Sequence, residues 1–294
     1  MGTIVSELKK GKVLVSDGAW GTYLQQKGLK PGECPEEWNI SRPDDVLDIA
    51  RSYFEAGSDM VETNSFGGSR FKLANYGFAD KVYAFNKAAA EISRKAAGPD
   101  RFVLGSVGPT GKLLLMEEVT EAELYGAFKE QSMALEAGGV NAIMIETMTD
   151  LEEARIAVKA AKENTGCEVF CTMTFEKIIG GGYRTMMGIS PSEMAETLVE
   201  AGADLIGTNC GNGIEDMIGM VKEIRKVNAE IPVLVHANAG MPRYLDGVTT
   251  FPETPDDMAR RVKEIIEAGA NIVGGCCGTT PDHICKVREV VKSL

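Results

Sequence analysis

Residues 254–291 read TPDDMARRVKEIIEAGANIVGGCCGTTPDHICKVREVV. Thr254 stands as N-cap, Pro255 at the first helical position and Asp257 at the third. That arrangement satisfies the orphan amides of a helix start. The helical pattern that follows stops at EAG, with Gly269 as its end. Asn271–Cys277, NIVGGCC, is then a short β-branched run of the kind that forms a buried strand. Thr280 and Pro281 open another helix directly after it. Two adjacent cysteines, Cys276 and Cys277, therefore sit where a buried strand ends, flanked by glycines.

The same unit recurs along the chain. Seven further strand candidates precede this one: KVLVSDG from Lys12, DMVETN from Asp59, FVLGSVG from Phe102, NAIMIET from Asn141, EVFCTMTF from Glu168, DLIGTNC from Asp204 and PVLVHAN from Pro232. Helical stretches separate them, among them 42–57, 120–139 and 190–202, and Ser190, Pro191 and Glu193 repeat the capping scheme. The phrase EAG ends four helices, and a residue or two then leads into the next strand. Eight strand–helix units at about 37 residues each predict the α/β class and a single (β/α)8 TIM barrel over residues 1–294. A doubly wound open sheet is the alternative. It is disfavoured by the count of eight and by the absence of a glycine fingerprint after the first strand.

Composition narrows the function. The 294 residues carry a net charge of -12 and no long basic run, which argues against nucleic acid or an anionic membrane as partner. No apolar stretch has the length of a membrane span, and the N-terminus lacks the apolar core of a signal peptide. Seven cysteines without a secretion signal point to a reducing, cytoplasmic setting, where clustered thiols bind metal or do chemistry.

A barrel of this kind carries its site at the carboxyl ends of the strands. Those ends hold Asp17-Gly18, Glu62-Thr63-Asn64, Glu146-Thr147, Asn209-Cys210, Asn238 and Cys276-Cys277. Cys210, Cys276 and Cys277 thus fall on one rim. Three thiolates with one open position is the donor set of a catalytic zinc site. The glycines around Cys276 and Cys277 would let neighbouring residues turn both sulfurs to one metal, which a regular strand forbids. A vicinal disulfide and a pair of small core residues are the other readings of Cys276 and Cys277. Cys34, Cys167, Cys171 and Cys285 read as structural, as do His236 and His283.

The motifs GGCCGTTPDHI, GTNC, DGAWGT, ETNSFG and NAGMP, in this chain, resemble the homocysteine S-methyltransferase family. Within it they are most similar to the homocysteine-binding domain of cobalamin-dependent methionine synthase. The resemblance runs from Asp17 to Ile284. It implies zinc held by Cys210, Cys276 and Cys277, with the substrate thiol in the fourth place and Asn238 filling that place when substrate is absent. It implies that Glu146 binds the substrate ammonium and that backbone amides around Gly18 and Ala19 meet its carboxylate. Asp17, Thr63 and Asn64 would line the pocket.

The implied reaction is methylation of a zinc-bound thiolate, homocysteine giving methionine. No folate- or cobalamin-binding domain is expected within residues 1–294. The methyl group is therefore expected from methylcobalamin on a separate corrinoid protein, or from a small donor such as betaine or S-methylmethionine. A corrinoid-linked enzyme with another thiol acceptor, and a non-enzymatic zinc-binding barrel, are the remaining readings. The run KIIGGGYRTMMG, 177–188, is expected to form a loop over the site, with Arg184, Met186 and Met187 placed to touch a donor or partner.

Overall fold

The computed structural model describes residues 2–245 and 248–294. Eight parallel strands form the barrel: β1 (Leu14–Val15), β2 (Met60–Glu62), β3 (Phe102–Val107), β4 (Ala142–Met148), β5 (Glu168–Met173), β6 (Leu205–Gly213), β7 (Val233–Asn238) and β8 (Ile272–Gly275). From β2 to β8 each strand pairs with its neighbour in sequence, and β8 pairs with β1. The seam between β1 and β2 is closed at its base by the Asp59 amide, which donates to the Val15 carbonyl at 2.7 Å. The expected single barrel is what the chain forms.

Eight helices surround it: α1 (Pro43–Glu55), α2 (Val82–Ala97), α3 (Glu121–Ala137), α4 (Leu151–Asn164), α5 (Pro191–Glu200), α6 (Ile214–Val227), α7 (Pro255–Glu267) and α8 (Pro281–Lys292). The expected caps are present. Thr120, Ser190 and Thr254 each accept from the third helical amide, and the acid at that position bonds back. No described helix is long and apolar enough to cross a membrane. A short helix, Ile4–Leu8, was not expected from the sequence. It buries Ile4 and Leu8 under the barrel, and its Ile4 and Val5 amides donate to the Glu168 carboxylate at 2.7 and 3.0 Å.

The amino end of the barrel repeats one contact four times. The residue before each even strand is Asp59, Asn141, Asp204 or Asn271. Its amide donates to the carbonyl of Val15, Val103, Val169 or Val233, at 2.7 to 2.8 Å. Its side-chain oxygen accepts the amide of that same valine, at 2.7 to 2.9 Å. A basic side chain from an even helix completes each cluster: Arg288, Arg94, Lys162 or Arg225. The EAG phrases, at the ends of α1, α3, α5 and α7, deliver the chain to these positions. The glycine that ends each turn (Gly57, Gly139, Gly202, Gly269) takes φ between 93° and 116°, open to glycine at little cost.

Inside the barrel, side chains alternate between the lumen and the helices. Leu14, Met60, Leu104, Met144, Phe170, Leu205, Leu234 and Ile272 pack together in the lumen. Two residues further along each strand stand Ser16, Glu62, Ser106, Glu146, Thr172, Gly207, His236 and Gly274. The lumen therefore changes from wholly apolar to a level with no hydrophobic side chain just below the mouth. That polar level is the floor of the site.

Candidate active site

The three rim cysteines meet. β6 loses its register between Asn209 and Gly213, and there Cys210 adopts φ 59°, a left-handed conformation uncommon outside glycine. Asn209 anchors this distortion by accepting from Thr147 N at 2.8 Å and Thr172 Oγ1 at 2.7 Å. The paired cysteines hang from β7: the Cys276 amide donates to Ala237 O at 2.7 Å, and the Ala239 amide to Cys277 O at 3.0 Å. Gly274 and Gly275 have no room for a side chain. A Cβ would lie 2.8 Å from Asp17 O in the first case and 2.2 Å from Thr279 Oγ1 in the second.

All three sulfurs lie within 4.8 Å of one another, with Cys210 and Cys277 at 3.8 Å. Among the described residues this is the one cluster of three histidine, cysteine or acidic groups close enough to share a metal ion. Thiol hydrogen bonds from Cys276 and Cys277 hold the Cys210 pKa far below the usual thiol range. The bond to Cys210 pushes the other two up, and burial adds to that. One sulfur of the trio is thus set to ionise first, and a cation at the centre would ionise the rest. Asn238, the last residue of β7, lies against Cys210, and its Oδ1 is buried with no partner. A fourth oxygen donor beside three sulfurs fits a tetrahedral metal.

Beneath the cysteines lies a cavity of about 290 Å³, walled by residues from six strand ends. Glu146 is buried on its floor. Its Oε1 is hydrogen-bonded by the Ser106 hydroxyl, and its Oε2 accepts from Asn209 Nδ2 at 3.4 Å. Glu62 and His236 share the floor, with Glu62 Oε1 3.4 Å from His236 Nδ1. Burial raises the pKa of Asp17, Glu62 and Glu146. The charge of Asp17 raises Glu62 further, and that of Glu62 raises Glu146. Burial lowers His236, which favours its neutral ring.

Gly18, Ala19, Thr63 and Glu146 line the cavity as their positions in the sequence suggested. The Ala19 amide, however, already donates to Thr279 Oγ1 at 3.1 Å. Asn64 reaches the cavity wall, but its amide nitrogen is tied to Pro35 O at 2.7 Å and to Asn39 Oδ1 at 3.1 Å. Asp17 lies behind the wall. Its Oδ2 accepts from Trp20 Nε1 and from the Glu62 amide, both at 2.8 Å, and its Oδ1 from Ser16 Oγ at 3.1 Å. Asp17 therefore joins β1 to β2 at the mouth as Asp59 does at the base, and it fixes the Gly18-Ala19-Trp20 turn.

Sequence reasoning passed over Glu62 and His236 as floor residues. Each stands two positions after a lumen residue, Met60 or Leu234, but both strands are buried throughout and the sequence does not mark which residues face the lumen. Cys34, Cys167, Cys171, Cys285 and His283 lie outside the cavity lining. Cys171 lies within β5 and Cys285 on α8. Nδ1 of His283 accepts from the Thr280 amide at 3.1 Å, and its Nε2 faces Glu253 O at 3.1 Å. The run 177–188 is part of a short hairpin, Glu176–Lys177 with Tyr183–Arg184, whose turn carries three glycines of positive φ. Met186 and Met187 are exposed beside it.

A profile of the homocysteine S-methyltransferase family matches residues 14–291. The chain belongs to this family. Methionine synthase of Mycobacterium tuberculosis (strain ATCC 25618 / H37Rv) is 37% identical over 302 residues, covering 96% of this chain and 25% of that protein. Its counterpart in Mycobacterium leprae (strain TN) is 37% identical over 299 residues, covering 95% and 24%. This homocysteine S-methyltransferase family member thus spans about a quarter of the length of the curated relatives it matches. In fold it resembles the metallated form of the homocysteine methyltransferase MmuM from Escherichia coli, with a TM-score of 0.79, 20% identity and coverage of 97% of this chain and 98% of that one. The apo form of MmuM matches with a TM-score of 0.75.

Proposed function

We propose that this barrel is a zinc-dependent methyltransferase that takes L-homocysteine as acceptor and forms methionine, with methylcobalamin on a corrinoid protein as donor. The observation that carries the reading is the trio of sulfurs at the mouth of a cavity with carboxyl groups on its floor. Cys210, Cys276 and Cys277 would hold the zinc, and Asn238 Oδ1 would complete the set in the absence of substrate. Zinc, when bound, supplies the Lewis acidity that keeps a thiol ionised at neutral pH.

The chain's own groups do the rest. Glu146 binds the substrate ammonium, held in place by Ser106 and Asn209. The fixed Gly18–Trp20 turn presents backbone polar groups to the carboxylate. Walls from six strands keep water from the reacting sulfur. That sulfur would attack the methyl carbon in line, the bond from carbon to the donor would break, and its electron pair would leave with the donor. No proton has to be delivered to that leaving group. The free thiols suit a reducing cytoplasmic setting.

The relatives named methionine synthase support the corrinoid donor. Residues 1–294 form the barrel alone, so the donor arrives on a module outside them. A second reading replaces the corrinoid with a small onium donor, betaine or S-methylmethionine, and the surplus of carboxyl groups near the mouth favours it. The test is methionine formation by the zinc-loaded protein from homocysteine, offered methylcobalamin, betaine and S-methylmethionine in turn. Turnover with methylcobalamin supports the first reading and turnover with an onium compound the second. No methionine from any of them, nor with added corrinoid protein, would remove both.

A further inference from the structure

Glu62 is not accounted for by the reaction above. Its Oε1 is buried 3.4 Å from His236 Nδ1 but makes no hydrogen bond, and neither does Nε2 of His236. Both residues line the cavity. The Glu62 main chain is held from below, its amide by Asp17 and its carbonyl by Ser93 Oγ at 3.0 Å, so its placement at the end of β2 is firm. A buried carboxyl oxygen that makes no hydrogen bond is costly and marks a missing partner. The charge around it narrows that partner. Glu36, Glu62 and Glu146 are among the described residues that line the cavity, whereas no lysine or arginine is. Nothing cationic on the walls can pair with Glu62 or with a ligand carboxylate.

We infer that Glu62 and Glu146 together form a two-carboxylate receptor for the substrate ammonium. His236 backs Glu62 through Nδ1 and leaves Nε2 as a further polar contact. The inference rests on the amino-thiol reading above and narrows it: the site recognises its substrate by the amine next to the thiol and only weakly by the carboxylate. An ammonium has three N–H donors and gains from each carboxylate it can reach. A ligand carboxylate meets backbone groups and hydroxyls alone, close to buried acids of its own sign.

Four ligands separate the contributions in calorimetric titrations of the zinc-loaded protein. They are homocysteine, 3-aminopropane-1-thiol (which lacks the carboxylate), 4-mercaptobutanoate (which lacks the amine) and L-norvaline (which lacks the thiol). The aminothiol is expected to bind at least about tenfold more tightly than the mercaptoacid. Glu62→Gln is expected to weaken homocysteine and 3-aminopropane-1-thiol by the same factor, about ten- to a hundredfold, and to leave 4-mercaptobutanoate unchanged. Equal affinity of the two truncated thiols in the wild-type protein would overturn the inference, with no need for the variant to fold. So would a variant that weakens all thiols alike, or none. If norvaline binds in a Glu62-dependent way and no thiol binds at all, the amine receptor stands and the thiol-acceptor reading fails.

Discussion

Four times around the amino end of the barrel, an Asp or Asn takes a valine amide and the head of a basic residue. At the carboxyl end only the helix caps repeat, and the groups around the cavity are each held differently. The amino end leaves its basic head groups hydrogen-bonded and its strand-edge amides filled. The carboxyl end leaves Glu62 Oε1, His236 Nε2 and Asn238 Oδ1 buried and unpartnered. All three non-glycine residues of positive φ among the described residues, Glu117, Thr147 and Cys210, also lie on that side. One end is arranged for stability. The other carries strain and unsatisfied groups that a metal and a ligand would relieve. The division explains how a barrel tolerates such a site: the seams are locked at the end away from it.

The largest test of this division is Cys276→Ser. Metal content measured by plasma mass spectrometry should fall from about one ion per chain to under about a tenth. The unfolding midpoint of the metal-free protein should move by less than about 2 °C. Full retention of metal would place the ion elsewhere and dissolve the contrast. Next comes Asp59→Ala, which strands the Val15 amide and leaves Arg288 unpaired. It should cost about 2 kcal/mol in urea unfolding, discounted for the partial exposure of the pair, with homocysteine affinity unchanged. A cost near zero would mean that the fourfold contact is ornamental to stability.

Glu62→Gln sharpens the other side through pH. A carboxyl whose folded pKa is raised keeps its proton in the folded protein after the unfolded chain has lost it. Stability then falls as pH rises from the ordinary carboxylate range through the raised value. Glutamine cannot ionise. In metal-free protein the variant's unfolding midpoint should therefore gain on wild type as pH goes from about 5 to about 8. A constant difference would show that Glu62 is not forced to ionise in a hostile setting. The smallest effect belongs to Asp59→Asn. Asn141 and Asn271 hold the same position in two of the four clusters, so this change should cost under about 1 kcal/mol, well below Asp59→Ala. An equal cost for both would mean that the four clusters are not equivalent.

The features that were legible in the sequence are local. A cap such as Thr254 with Asp257 is a contact over three residues, and the turn after EAG is settled within the helix end. These repeat because the chain repeats, and so the eightfold strand–helix order follows from them. Cys276 and Cys277 were conspicuous for the same reason, since adjacent thiols among glycines need only one short stretch to be seen. The fourfold contact at the base required neighbouring strands to bring together residues 35 to 44 positions apart, and the meeting of the two thiols with Cys210 required closure of the barrel, which brings together residues 66 positions apart. The floor was hidden by the strands themselves. A strand buried on both faces reads as one apolar run, so nothing in the run around Met60 or Leu234 says which residues face the lumen. Only closure decides that, and with it that Glu62 and His236 point into the cavity while Asp17, on a neighbouring strand end, is spent holding β1 to β2.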